Sequence, residues 1–404
     1  MTTNNVSRQP VILSAARTPI GRFGGSLSEI PATKLGALAI QAAIQRAGLA
    51  PDTDEINEVL MGNVVSAGLG QAPARQAAIY SGLAPTTGAT TINKVCGSGL
   101  KAAAIAAQAI TAGDGSLFVA GGMENMSAAP YLVRARGGKL RYGHDQLTDA
   151  LMHDGLWDPF EDWSMGMAAE WVADRFEVTR EAMDRYALKS HQLAVAAEEA
   201  GAFDKERIPV PGPKERDSDY RLVRDESPRT DTSLEKLAAL PPAFSEKGRV
   251  TAGNSPGLND GAAALVVASR ARAMELGAEP MARIVGHTGV AVPPEAMFTA
   301  PALAIPKLMD KVGWQLEQVD LLEVNEAFAA QIVANGYQLA DQGWDWEKVN
   351  VHGGAIALGH PLGATGARVL TTLLYALQRH GKQRGLACLC LGGGEAVAMA
   401  IEME

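Results

Sequence analysis

Short apolar runs and longer apolar stripes alternate along this chain up to about residue 126, and again from residue 261 to the end. Residues 11–15 form a run of strand length that meets Arg17-Thr18-Pro19. Residues 34–47 repeat Leu35, Leu38, Ala39, Ala42 and Ala43 at helical spacing and stop at Gly48, which predicts an amphipathic helix with a glycine end. A short strand is expected at 58–61, a helix at 71–81, and a strand at 90–95 leading to Cys96. Residues 99–111 are apolar almost all round, which predicts a helix buried on every side. A strand at 116–120 is expected to stop at Gly121-Gly122.

The texture changes between residues 127 and 251. Arg, Lys, Asp, Pro and Trp become common, two charged helices are predicted at 168–175 and 181–200, and residues 210–239 read as irregular surface structure. Strand and helix signals then resume at 262–268, 270–276, 282–288 and 302–312. A strand at 321–324 runs into Asn325-Glu326-Ala327-Phe328 and a helix continuing through 340. Residues 349–351 read as a strand, 366–380 as a helix with Gly381 beyond its end, 386–391 as a strand stopping at three glycines, and 396–401 as the last strand. Cys96, a long helix, a strand and two glycines are echoed by His360, a long helix, a strand and three glycines. The chain therefore divides into a first half (1–126 with 252–278), an inserted loop domain (127–251) and a second half (279–404), each half setting helices against a sheet.

Composition narrows the class. The chain has 404 residues, with 47% hydrophobic but only 5% aromatic content, so the core is aliphatic and alanine-rich. A net charge of −9 offers no support for nucleic-acid binding. Three cysteines cannot build a disulfide framework and suit a reducing compartment. The first ten residues lack the apolar core of a secretory signal, no uninterrupted apolar run reaches membrane-spanning length, and the last three residues are not a peroxisomal address. The expectation is a cytoplasmic protein without membrane or nucleic-acid partners.

Four places hold candidate chemistry. Cys96 lies where a strand turns through glycines into a helix, and a helix start favours thiolate over thiol; a small buried cysteine fits the same pattern. His360, between Gly359 and Pro361 just before a helix, is held on a rigid turn and suits a general base or a backbone-bonded turn residue. Cys390 abuts three glycines at a strand end, whereas Cys388 reads as core. The Cys-x-Cys spacing with a distant histidine does not match a zinc site, so no metal is expected. Asn325 suits either a carbonyl-polarising or a helix-capping role.

The segments NKVCGSGLKA around Cys96, GGMENMS from Gly121, NEAFAAQ from Asn325, GGAIALGHPLGATGAR around His360 and CLGGG from Cys390 together resemble the thiolase family. The segments at 127–143 and 252–263 resemble it too, so the likeness spans the chain in order. The resemblance implies an α/β fold of five layers, αβαβα, with two similar halves and an inserted loop domain that binds coenzyme A. It implies a reversible Claisen condensation or thiolysis of 3-ketoacyl-CoA through an acyl-enzyme. Cys96 is then the nucleophile, His360 its base, and Cys390 the acid–base at the α-carbon. Asn325 holds a water beside His360 in one oxyanion hole, and the N–H groups of Cys96 and Gly392 form a second.

The resemblance further implies that Arg229, Phe244, Ala252 and Ser255 contact CoA, and that Met165, Met297 and Phe328 line the acyl and pantetheine region. Acyl-CoA and CoA are the expected partners, with no permanently bound cofactor and a homodimer or homotetramer. Departures from the family pattern are Pro256 where a serine is common, Ser164 where some members carry histidine, Phe298-Thr299-Ala300-Pro301 after Met297, and Glu395-Ala396 after the glycines. Two other functions remain in view. One is a decarboxylating ketosynthase-like enzyme, whose Cys-His-His set differs from Asn325 and Cys390. The other is a non-catalytic CoA- or lipid-binding homologue.

Overall fold

A computed structural model describes residues 6–136, 142–212 and 221–404. The readings made for 127–143 and 210–239 fall partly outside the described residues, at 137–141 and 213–220. In the first half, strands are ordered Gly88–Ile92, Glu58–Gly62, Leu117–Asn125, Asn259–Ser269, Pro10–Arg17. In the second the order is Leu321–Val324, Arg384–Leu391, Glu395–Met403, Ala282–Ala291. Outer pairs are parallel and inner pairs antiparallel in both halves. Among the described residues the halves meet edge to edge only where Val11 pairs Arg283 and Ile12 pairs Ala282. The strand predicted at 349–351 is reduced to one parallel bridge between Leu322 and Val349, in the place Gly88–Ile92 occupies in the first half.

Strand alternation sorts the core into layers. Val11, Val59, Met61, Leu117 and Val119 face outward against the helix Ala32–Arg46 and the helix Pro73–Tyr80. Their neighbours Ile12, Leu60, Phe118 and Ala120 face inward against two helices, Ser98–Ala112 and Leu362–His380, which also pack on Ala387, Leu389 and Leu391 of the second half. The opposite face of that half, Leu386, Cys388, Ala396 and Ala398, packs on the helix Ala300–Val312 and on Ile332 and Leu339 of the helix Ala329–Leu339. These are the five layers expected. The stretch Val95–Ala112 is apolar and long enough to cross a membrane by composition, but it holds one of the two sandwiched helices.

Glycines set the closeness of the middle layer. A Cβ on Gly99 would lie 2.6 Å from the Ala367 nitrogen, and one on Gly366 2.3 Å from the Leu100 nitrogen, so the two helices cross in backbone contact. The strand predicted to stop at Gly121-Gly122 instead runs on to Asn125. Gly122 is there because a side chain would strike the Gly363 carbonyl at 2.0 Å; it marks a close approach, not an end.

The insertion carries the helices Met165–Arg175 and Arg180–Glu199, which pack through Ala168, Val172 and Met183 on Ala327, Ala330 and Val333. It is also tied to the first strand by charge. The fully buried Arg17 donates to Glu206 at 2.5 Å and to both oxygens of Asp225 at 2.7 and 2.9 Å. A buried guanidinium persists only when paired in this way.

Candidate active site

The nucleophile candidate sits on a strained turn. Val95 has φ 45°, a left-handed conformation that costs a β-branched residue on the order of 1–3 kcal/mol. Ser98 locks it: its hydroxyl accepts from the Lys94 N–H at 2.8 Å and donates to the Val95 carbonyl at 2.7 Å. The turn lifts Cys96 to the mouth of the helix Ser98–Ala112. Gly392 lies against Val95, with an added Cβ falling 3.3 Å from its side chain. The backbone N–H groups of Gly392 and of Cys96 itself act to lower the Cys96 thiol, against the effect of burial. Gly393 and Gly394, at φ 81° and 84°, turn the chain back directly after Cys390 and Leu391.

His360 is oriented from both sides. Its backbone N–H donates to Asn259 Oδ1 at 3.0 Å. The Thr365 hydroxyl donates to the Pro361 carbonyl at 2.8 Å, so it receives Nδ1–H of His360 at 2.7 Å. This fixes the tautomer and leaves Nε2 unprotonated, able to take a proton. Asn325, buried behind the ring, points Nδ2 at Nε2 from 3.4 Å, and its Oδ1 has no partner among the described residues. Asn325 is thus not a helix cap, since the following helix begins only at Ala329.

Electrostatics weighs against one expectation. Burial pushes the Cys96 thiol up to about 12 despite the Gly392 and Cys96 N–H groups, and burial pushes the His360 imidazole down to about 3, aided by nearby Arg368. Cys96 itself stays half-buried at the pocket, so its thiol is raised less than full burial implies, but desolvation still opposes the helix start and favours thiol and neutral imidazole at rest. Burial, with Cys96 and Cys388 nearby, also raises the Cys390 thiol.

Cys96, His360, Cys390 and Gly392 share one pocket of about 510 Å³. Met165, Phe244, Phe328, Arg229, Ala252 and Ser255 line it as well. Arg229, Ala252 and Ser255 also border an adjoining cavity of about 430 Å³ that contains Arg22 and Asp231, so the site continues into a polar antechamber. Ser255 spends its proton on the Thr251 carbonyl at 2.8 Å and keeps its lone pairs. Met297 does not line the pocket. The short 3-10 helix Pro294–Thr299 turns it wholly inward, and Phe298 takes the wall position. Phe298 stacks obliquely on Phe328 at 5.5 Å, and Phe244 meets Phe328 edge-on at 6.1 Å. Sequence reading missed Thr365, Asn259 and Phe298. Thr365 alone left a signal, a hydroxyl five residues past a histidine at a helix start.

Family models for the thiolase N-terminal domain and the thiolase C-terminal domain match residues 10–271 and 278–403. An acetyl-CoA acetyltransferase of Cupriavidus necator is 50% identical over 98% of this chain and 99% of its own. One from Escherichia coli (strain K12) is 52% identical, covering 97% and 98%. The crystal structure of the Bacillus anthracis acetyl-CoA acetyltransferase superposes with a TM-score of 0.95 at 42% identity, over 99% of this chain and all of that one. With matched domains across both halves and relatives this similar over nearly its full length, the chain belongs to the thiolase family.

Proposed function

We infer that the protein is a CoA-dependent acyltransferase of the acetyl-CoA C-acetyltransferase type. It catalyses the reversible Claisen condensation and thiolysis of 3-ketoacyl-CoA. The observation that carries this reading is the meeting of Cys96, His360, Cys390 and Gly392 in one largely apolar pocket. In thiolysis the Cys96 sulfur attacks the 3-keto carbon and its proton passes to His360 Nε2. The bond between the α and keto carbons breaks, and the departing acetyl-CoA carbanion takes a proton from Cys390. The acyl group stays on Cys96 as a thioester. The thiol of CoA, losing its proton to the Cys390 thiolate, then displaces it and releases acyl-CoA while His360 returns the first proton to Cys96.

Two donor sets suit the oxyanions. The N–H groups of Cys96 and Gly392 serve the thioester bound at Cys96. His360 with a water on Asn325 serves the other carbonyl, supported by the inward Asn325 amide. One such donor is worth roughly 3–4 kcal/mol in acyl transfer. Arg229, Phe244, Ala252 and Ser255 at the rim fit the CoA arm, and Met165 and Phe328 with Phe298 fit the acyl end. A ketosynthase-like set would need a second histidine, where Asn325 stands. A binding-only protein would have no use for the fixed His360 tautomer.

The division at residues 126, 251 and 278, a cytoplasmic setting for the three free thiols, and a homodimer or homotetramer belong to the same proposal. The open edge strand Gly88–Ile92 supports self-association, because an unpaired edge invites a partner strand. Peptide mapping after incubation with acetyl-CoA tests the chemistry. Acetylation confined to Cys96, with CoA-dependent loss of acetoacetyl-CoA absorbance, is expected. A label on another residue overturns the assignment.

A further inference from the structure

Glu124 is fully buried beneath the active-site loops, near the end of the strand Leu117–Asn125, and no step above uses it. Its carboxylate collects four donors. Oε1 accepts from Asn63 Nδ2 at 2.9 Å and the Val65 N–H at 3.2 Å. Oε2 accepts from the Val64 N–H at 3.0 Å and the Gly363 N–H at 2.8 Å. Three of these donors belong to the first half of the molecule. The fourth, Gly363, belongs to the second half and lies in the opening turn of the helix Leu362–His380, three residues past His360.

That helix begins after Pro361, which supplies no side-chain cap. Glu124 supplies one from the other half, and a carboxylate at a helix N-terminus satisfies a free N–H and opposes the helix dipole favourably. The surroundings are shaped for this approach. A Cβ on Gly62 would lie 2.6 Å from the Gly363 carbonyl, and one on Gly363 would lie 2.8 Å from the Asn63 Cα and 2.9 Å from Glu124 Oε2. Glu124 also acts on the Cys96 thiol through its charge, so it stands near both members of the reacting pair.

We propose that Glu124 is a positioning residue that binds the His360 turn to the Cys96 half of the site, through Gly363, and so sets the approach of imidazole to sulfur. The proposal rests on reading Cys96 and His360 as nucleophile and base. The helices that follow Cys96 and His360 cross in backbone contact, and Glu124 adds a polar cross-link at their active-site ends, where the His360 turn meets the first half. A displacement of about 1 Å between reacting groups costs on the order of 10²-fold in rate.

The test compares the whole enzyme with Glu124→Gln. Glutamine keeps the length but offers one acceptor oxygen, and turns an amide against N–H groups. First, wild-type Cys96 is confirmed as the residue acylated by acetyl-CoA; failure there sinks the site assignment and not this proposal alone. With that in hand, Glu124→Gln is expected to slow acyl-enzyme formation and kcat at least 10-fold while KM for acetoacetyl-CoA stays within about 2-fold, in protein whose circular dichroism is native. A folded variant with wild-type kcat overturns the proposal, as does a loss of kcat matched by an equal rise in KM. If Glu124→Gln does not fold, Gly363→Ala decides. Its Cβ pushes the His360 turn off the carboxylate at a helical position where alanine is locally favourable, and the same kcat-only loss is expected. Unchanged kcat in Gly363→Ala then overturns the proposal.

Discussion

The two halves of this molecule place different residues at matching positions. Gly62 pairs with Gly122 in the first half as Val324 pairs with Cys388 in the second. Counting on from these pairs, Asn63 matches Asn325 and Glu124 matches Cys390. Cys96 and His360 each stand two residues ahead of a sandwiched helix, beginning at Ser98 and Leu362. In the first half the Asn–Glu pair is spent on structure, Asn63 donating to Glu124 at 2.9 Å and Glu124 accepting from Gly363 of the second half. In the second half the Asn–Cys pair serves the site, with Asn325 buried and aimed at His360 and Cys390 on the pocket wall. The hairpin after Cys390 is three glycines, and its counterpart after Glu124 is expanded into the whole insertion. One scaffold thus yields a nucleophile with a locked support on one side, and a base with an open proton site on the other.

Removing each half's contribution in turn sharpens the contrast. Cys96→Ala is expected to abolish acyl-enzyme formation, with kcat falling on the order of 10⁴-fold or more. Mass spectrometry that finds the variant acetylated elsewhere breaks the assignment. Cys390→Ala is expected to remain acylated at Cys96 yet lose roughly 10²–10⁴-fold in condensation, the range for a lost general acid–base. Normal turnover by that variant would make Cys390 merely a core residue like Cys388.

Much of this was legible in the sequence, for stated reasons. Strand Leu321–Val324 and the glycine stops at Gly48 and Gly381 follow from local patterns that need no tertiary context. Cys96, Cys390 and His360 stood out because glycines flank them. Gly121-Gly122 was misread because its cause, the Gly363 carbonyl, lies far along the chain. The thiolate expectation meets an opposing effect for a related reason. A helix start is visible in sequence, but the desolvation that opposes it comes from residues brought in by the fold. Met297 and Phe298 are neighbours, and which one faces the pocket depends on a short 3-10 helix that periodicity does not register.

The matched asparagines offer a finer contrast. Asn325→Ala is expected to lower kcat about 10²-fold, as for a lost oxyanion-hole donor, with little change in melting temperature. Asn63→Ala is expected to do the reverse. It strips a buried donor from Glu124 and the Met123 carbonyl, costing about 1–3 kcal/mol of stability, with a smaller loss of kcat than Asn325→Ala. Equal kinetic effects would dissolve the distinction drawn between the halves. Thr365→Val keeps the shape beside His360 but removes the acceptor for Nδ1–H, and about a 10-fold loss of kcat is expected as the tautomer is freed. Nitrogen-15 spectra of the imidazole in wild type and variant would show whether the proton has left Nδ1.

The smallest expected effect is a flat line. Acylation needs a neutral His360 to accept the proton and a protonated Cys96 to supply it. The imidazole charges only as pH falls toward about 3, and the thiol ionises only as pH rises toward about 12. The population of the reactive pair is therefore constant in between. Burial pushes the Glu124 carboxyl up to about 7, so kcat/KM for acyl-enzyme formation from acetyl-CoA should be flat between about pH 8 and about pH 10 and fall only as Glu124 takes a proton below about 7. A resting thiolate–imidazolium pair demands the opposite order, a histidine that titrates above its cysteine. It would show an acid limb where the thiolate is lost, and a basic limb where the imidazolium is. A limb inside that window would mean that water reaches the pair in the free enzyme and that desolvation does not set its resting state.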